Sequence, residues 1–423
     1  METHGMSRAR VWAFRLVLLA SPVLLYGISE LILARKFGRE YPGTTLEVQG
    51  AYRFRDAVYR GYRNNPNYVR RYDGVVYRYN NYGFRDERDV GAKKPNEYRV
   101  FFLGGSAAYG ERAAEKGQYQ LISQQTTYDS TQTISAYLEQ DLQRLLPDKI
   151  VRVYNAAVVS YRIHHGFLTY LEQLRSLEPD LLVTMDGQNE DFLTTNPFWP
   201  QKSHLPKLGG GAFGRFLRGH SYTAFYLGLI ARQSAAFDRL TGRYVRELSP
   251  EQLASMDAAE IRRLYREEAS RCVVTDAVVD GVFKVYELFD LAARQDGVPI
   301  IFATQPILAL DATKPLTAIE KDLLKYVRFK HYGMCGVAKL DERLRKHAKE
   351  NPDFRFVSLR DVFADFKGEA YTDYCHLRPA ANAYVAERLS KVIRAQIPAF
   401  AQKDDVSSMA RIMSRAQPRQ GTD

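Results

Sequence analysis

Cysteine is scarce in this chain of 423 residues: there are three, Cys272, Cys335 and Cys375. Three cannot build a disulfide scaffold, and they lack the spacing of a zinc site. One disulfide with one thiol left over suits an oxidising compartment. The chain also has no internal repeat and no excess of acidic charge; its net charge is +11. That balance suits anionic lipid head groups or acidic glycans, and equally a solvated basic surface. What the chain does have is hydrophobic residues, 45% of the total, which excludes general disorder. The length allows one large domain with insertions or two ordinary ones.

Met1 to Arg10 is short, polar and basic, and residues 11–33 are then strongly apolar, with charge only at Arg15 and Glu30. The stretch is long enough to span a bilayer. No small-x-small cleavage site follows it, so an uncleaved anchor is expected rather than a signal peptide or a buried core helix. Arg8, Arg10 and Arg15 on one side nearly balance Arg35, Lys36 and Arg39 on the other, so charge leaves the orientation open. Residues 34–95 form a Tyr/Arg-rich stem, dense from Tyr52 to Arg88. Interleaved aromatic and basic residues can stack on bases or sugars. A nucleic-acid role fits poorly beside an anchor, and a stem wrapped over the domain with Arg stacked on Tyr is expected instead.

From Tyr98 the pattern alternates strand and helix. Val100 to Leu103 is an apolar run ending in Gly104-Gly105, which reads as a buried strand and a tight turn that delivers Ser106 past the strand end. Ile134 to Leu146 has a helical stripe, with Asp129 to Thr131 as its cap and Pro147 as its stop. Ile150 to Tyr154, Asp180 to Met185, Val298 to Thr304 and Phe354 to Val357 read as further strands. Helices are expected from Phe167, Tyr170, Leu171 and Leu174, from Val278, Val282, Tyr286 and Phe289, and over Leu340 to Lys349. Alternation of this kind implies a parallel sheet covered on both faces. About 196–257 breaks the rhythm and reads as an insertion that flanks or lids the site, or equally as a second membrane-surface contact through Phe213, Phe216, Tyr222, Phe225 and Tyr226. Residues 399–423 are a polar tail.

Two further segments carry chemistry. Asp186-Gly187-Gln188-Asn189-Glu190-Asp191 follows a strand and can point an amide N–H of Asn189 across the strand-end crevice, as stabilisation of an oxyanion requires. Its carboxylates do not match a metal-binding loop, and no metal is assigned. Asp373-Tyr374-Cys375-His376 precedes Pro379, which suits the first position of a helix with Val385, Leu389, Val392 and Ile393 on its buried face. Asp373 can hold one imidazole nitrogen of His376 and leave the other to take a proton from a serine.

On these segments the chain resembles the SGNH, or GDSL-like, hydrolase superfamily, in particular bacterial membrane-anchored members with GGS in place of GDS. The resemblance runs from about Asn80 to about Arg394. It rests on Leu103-Gly104-Gly105-Ser106, on Asn155 to Tyr161, on Gly187-Gln188-Asn189-Glu190 and on Asp373 to His376. It implies a three-layer αβα sandwich with a central parallel, flavodoxin-like sheet, over residues 96–398. It implies Ser106 as nucleophile, His376 as general base and Asp373 as its orienting acid. The backbone N–H of Ser106, that of Ser160 and the side chain of Asn189 would form the oxyanion hole. Gly105 departs from the family's usual Asp, and Ser160 from its usual Gly. The α/β-hydrolase motif G-x-S-x-G is not matched, because Ala108 stands at its last position.

The implied activity is ester hydrolysis through a serine acyl-enzyme, with no cofactor, on an acylated glycan or lipid. The anchor implies a single-pass membrane protein with its catalytic domain outside the cytoplasm. An O-acyltransferase, or a non-catalytic glycan-binding or assembly protein of the same fold, are the alternatives. Cys375 beside His376 reads as a buried or disulfide-bonded cysteine, with Cys335 as its candidate partner, rather than as a catalytic thiol.

Overall fold

The structure is a computed structural model. It describes residues 20–32, 35, 54–57, 59–72, 75–112, 126–190, 257, 259–260, 263, 274–311, 313–325 and 331–401. The chain divides into two units, one of Met1–Arg55 with Lys202–Arg246 and one of Asp56–Gln201 with Glu247–Asp423. In the first unit residues 20–32 are helical, and Val23, Leu24, Leu25, Leu31 and Ile32 on that helix are exposed. Among the described residues no helix is long and apolar enough to cross a membrane. The remainder of the expected span at 11–33 lies outside the described residues, as do nearly all of the insertion at 196–257 and the tail beyond Ala401.

The second unit is built on five parallel strands. They are β1 (Glu97–Gly104), β2 (Ile150–Asn155), β3 (Leu181–Asp186), β4 (Ile300–Thr304) and β5 (Arg355–Ser358), in the spatial order β5-β4-β3-β1-β2. Reversed, this is the 2-1-3-4-5 order of flavodoxin-like sheets, whose ligand crevice opens between β1 and β3 where the winding direction switches. Strands β1, β3 and β4 are buried along their whole length, as a parallel sheet with helices on both faces requires. Their apolar runs lack period-two alternation for that reason.

The helices fall into two packed groups. Helix α2 (Ile134–Leu145) packs on α7 (Pro379–Gln396), and α4 (Asp276–Gln295) packs on α3 (Ile163–Thr169) and α6 (His331–Glu350), with the short α5 (Ala318–Lys325) between α4 and α6 in sequence. The buried positions of α4 include Val278, Val282, Tyr286 and Phe289, and those of α7 include Val385, Leu389 and Ile393, while Val392 is half-buried. Pro379 opens α7 at a position where a missing N–H costs nothing.

Two local expectations are corrected. Helix α2 is capped by Thr133, whose hydroxyl accepts from the Ala136 N–H at 3.3 Å; Asp129 instead caps the short turn Ser130–Gln132. Leu171 is exposed, because the segment after α3 widens into a π-helical turn over Tyr170–Leu174 that rotates it off the buried face.

The Tyr/Arg-rich segment belongs, from Asp56, to the same unit as the sheet. Tyr62, Tyr79, Asn80, Phe84 and Arg85 are buried. Arginine from this segment does stack on tyrosine: Arg85 lies 4.7 Å from the centre of the Tyr109 ring and Arg88 5.8 Å from that of Tyr154.

Candidate active site

Each candidate residue lies at or just beyond the carboxyl end of the sheet. After β1 the backbone turns at Gly104, with φ +142°, a conformation that side chains rarely adopt. A Cβ there would also meet the Met185 carbonyl oxygen at 2.3 Å. The turn sets Ser106 at the start of the short helix α1 (Ser106–Tyr109). An N–H in a helix's first turn has no partner within the helix, so that of Ser106 is free of the helical ladder.

His376 arrives from the opposite side of the sequence. Residues 370–378 fold back on themselves: the Thr372 N–H donates to the His376 carbonyl at 2.8 Å and the Arg378 N–H to the Ala370 carbonyl at 2.8 Å. Asp373 sits at the tip. Its Oδ1 accepts from the backbone N–H groups of Cys375 (2.8 Å) and His376 (2.7 Å), and its Oδ2 lies 2.6 Å from His376 Nδ1. His376 Nε2 lies 2.8 Å from Ser106 Oγ. Serine, histidine and aspartate thus form one continuous hydrogen-bonded chain across 270 positions of sequence.

The electrostatics follow from burial and pairing. Burial disfavours a charge on His376, yet Asp373, with Cys375 adding to it, outweighs burial and holds the imidazole pKa well above its usual value. Burial would likewise raise Asp373, but the charge and hydrogen bond of His376, with the two backbone donors, keep its carboxyl below the usual range. The imidazole therefore favours its protonated form until the solution is more alkaline than an ordinary histidine requires.

The oxyanion candidates lie on loops that flank the turn carrying Ser106. The loop after β2 is pinned to β1 by a bond from the Val158 N–H to the Gly104 carbonyl at 3.1 Å. In it Ser160 takes φ +62°, a left-handed conformation, which is the physical reason a glycine suits this place. Asn189, after β3, donates from Nδ2 to the Tyr161 carbonyl at 3.1 Å, and its second amide hydrogen remains. A Cβ on Gly105 would lie 2.3 Å from that Nδ2 and 3.0 Å from the Tyr161 oxygen. Glycine at 105 is what lets the Asn189 amide close against the turn that carries Ser106.

Of the neighbouring carboxylates, Glu190 serves the scaffold. Glu190 Oε1 accepts from the Ile163 N–H at 2.8 Å, at the start of α3. Asp186 is buried, and its desolvation pushes its pKa up to about 7. Asp191 lies outside the described residues. Cys375 is a buried free thiol, and it is Cys335 that carries a disulfide, so the expected pairing of the two is corrected. Cys375 Sγ sits instead 3.9 Å from His376 Nδ1, drawn into the site by the turn that Asp373 caps.

Sequence reasoning missed one contributor. Arg85, buried, donates from Nη1 to the carbonyls of Tyr109 (2.5 Å) and Gly110 (3.1 Å), and from Nη2 to that of Tyr128. Asn155 Nδ2 donates to the Ala108 carbonyl at 3.2 Å. Together they hold the C-terminal end of the helix whose first residue is Ser106. Arg85 lies in a turn that resembles any other in the sequence; only its place in space singles it out.

The sheet order, a serine after β1, an asparagine after β3 and Asp-x-x-His before the last long helix are the features by which the chain resembles ester-hydrolysing SGNH, or GDSL-like, enzymes. No family model matches the chain, and no curated protein matches it. Similar solved structures include a mutant of an acetylxylan esterase from Geobacillus stearothermophilus, 13% identical, covering 70% of this chain and 94% of its own, with a TM-score of 0.35. Another is an acetyl xylan esterase, AlAXEase, 13% identical, covering 70% and 100%, with a TM-score of 0.34. A third is described as a lipolytic protein of the G-D-S-L family from Desulfitobacterium hafniense, 10% identical, covering 70% and 98%, with a TM-score of 0.33.

Proposed function

We propose that the protein is a serine esterase that removes acyl groups from a glycan or lipid, held at a membrane by its N-terminal segment with the catalytic unit outside the cytoplasm. The observation that carries the chemistry is the chain Asp373–His376–Ser106, with its contacts of 2.6 and 2.8 Å. In this reading His376 Nε2 takes the Ser106 proton as Oγ attacks the ester carbonyl. The developing oxyanion is met by the N–H groups of Ser106 and Ser160 and by the free amide hydrogen of Asn189. His376 then gives its proton to the leaving alcohol, and a water, activated by the same imidazole, releases the acid and restores the serine.

Location and substrate rest on less direct support. The exposed apolar helix at 20–32 suits a lipid environment. The disulfide at Cys335 suits an oxidising compartment, and the charge of +11 suits an anionic envelope.

A fluorophosphonate probe should label the full-length protein at Ser106, and Ser106→Ala and His376→Ala should each abolish labelling. Failure to label folded protein would favour a glycan-binding role for the same fold. Aryl esters of increasing chain length, with acetylated xylan beside them, then define the acyl group.

A further inference from the structure

The Nε2 edge of His376 faces Ser106, and its Nδ1 edge, already bonded to Asp373, has the Cys375 thiol beside it. Cys375 Sγ, His376 Nδ1 and an oxygen of Asp373 lie within 4.8 Å of one another. They are a thiol, an imidazole and a carboxylate, the three ligand types that zinc takes from proteins. The thiol is free, and both Cys375 and His376 are 2% exposed. Asp373 is the open edge, with 17% of its side chain exposed.

We propose that Asp373, Cys375 and His376 form a binding site for a zinc-like divalent cation, and that filling it switches off the proton transfer at Ser106. A tetrahedral zinc with ordinary bond lengths wants about 3.5 Å between its sulfur and nitrogen ligands and about 3.3 Å between nitrogen and oxygen. The 3.9 Å from Cys375 Sγ to His376 Nδ1 is close to the first. The 2.6 Å from Nδ1 to Asp373 Oδ2 must open by about 0.7 Å to reach the second, at the cost of that hydrogen bond. The charges match: a carboxylate and a thiolate neutralise a dication, and the three ligands leave a fourth position for water.

The proton balance explains the inhibition. Cys375 loses its thiol proton to solvent when it binds. The metal takes the lone pair on His376 Nδ1, so the ring's remaining proton resides on Nε2. That nitrogen faces Ser106 and can then only donate. The general base is lost while Ser106 and the oxyanion donors stay in place. The inhibitory step rests on the esterase reading above, whereas the binding itself does not.

Two measurements on the full-length protein, stripped of metal by a chelator, separate these points. Equimolar cobalt(II), a spectroscopic stand-in for zinc, should give a thiolate-to-cobalt charge-transfer band that zinc displaces. Cys375→Ser and Cys375→Ala, each checked for folding by its thermal melt, should lack the band. Zinc should suppress aryl-ester hydrolysis, a chelator should restore it, and the half-inhibitory zinc concentration should rise about 10-fold or more in the Cys375 variants, each measured against its own metal-free rate. No charge-transfer band in the wild type overturns the site without any variant. A band that persists in both variants, or an unchanged zinc sensitivity, overturns it as well. A protein that binds cobalt through Cys375 but hydrolyses no ester overturns the esterase reading and leaves the site standing.

Discussion

His376 is the residue on which the proposed chemistry turns. It accepts the serine proton only when neutral, and Asp373 holds its pKa well above the usual value. Activity should therefore rise with pH through a limb that lies above that of an ordinary histidine, whose pKa is about 6.5. Asp373→Asn removes the charge that stabilises the imidazolium. A pH–rate profile should show the limb moved to lower pH, and kcat reduced on the order of 10⁴-fold because the tautomer is no longer held. A limb that stays where it was would mean that another group controls the titration. Ser160 offers a test of opposite sign. Its left-handed backbone disfavours any side chain, so Ser160→Gly should raise unfolding stability by about 1 kcal/mol. Denaturant unfolding measures this, and a loss of stability would show that the serine side chain makes a contact worth more than the strain.

At the scale of elements, helix α1 is the least self-sufficient part of the site. It has 4 residues, too few to hold a helical conformation by their own hydrogen bonds. Its C-terminal carbonyls are satisfied from outside, by Arg85 and Asn155. A cation at this end also complements the partial negative charge of the helix terminus. Arg85→Lys keeps the charge but cannot reach the separate carbonyls of Tyr109, Gly110 and Tyr128 at once. It should lower kcat about 10- to 100-fold with little change in KM, because the nucleophile is misplaced while the binding surface stays. Steady-state kinetics with an aryl ester separate the two parameters, and a rise in KM alone would place Arg85 in substrate binding instead. The neighbouring turn obeys the same logic. At Gly105 the Asn189 amide fills the space that a side chain would need.

At the scale of the molecule, the two units divide the proposed labour. The unit from Asp56 holds the sheet, the hydrogen-bonded Ser106, His376 and Asp373, and the oxyanion candidates, and the apolar helix at 20–32 lies in the other. The full chain should float with anionic liposomes in a density gradient, and a chain lacking residues 1–33 should not. Flotation of both would assign the lipid contact to the basic surface and not to the apolar helix.

Much of this was legible in the sequence. Strands β1, β3 and β4 announce themselves as short apolar runs, because a strand covered on both faces has no polar side to alternate with. Ser106, Asn189 and Asp373 to His376 each follow a recognisable local pattern: a strand ending in glycines, a strand followed by an amide, and a turn before a helix-opening proline. Those patterns are local, so the chain order alone carries them. What it does not carry is anything that depends on which distant groups become neighbours. The grip of Arg85 on α1 and the approach of His376 to Ser106 both arise where segments far apart in sequence meet. Local residue preferences decide the strands and turns, and long-range packing decides the partners; only the folded chain brings the histidine ring between a serine on one side and a carboxylate with a thiol on the other.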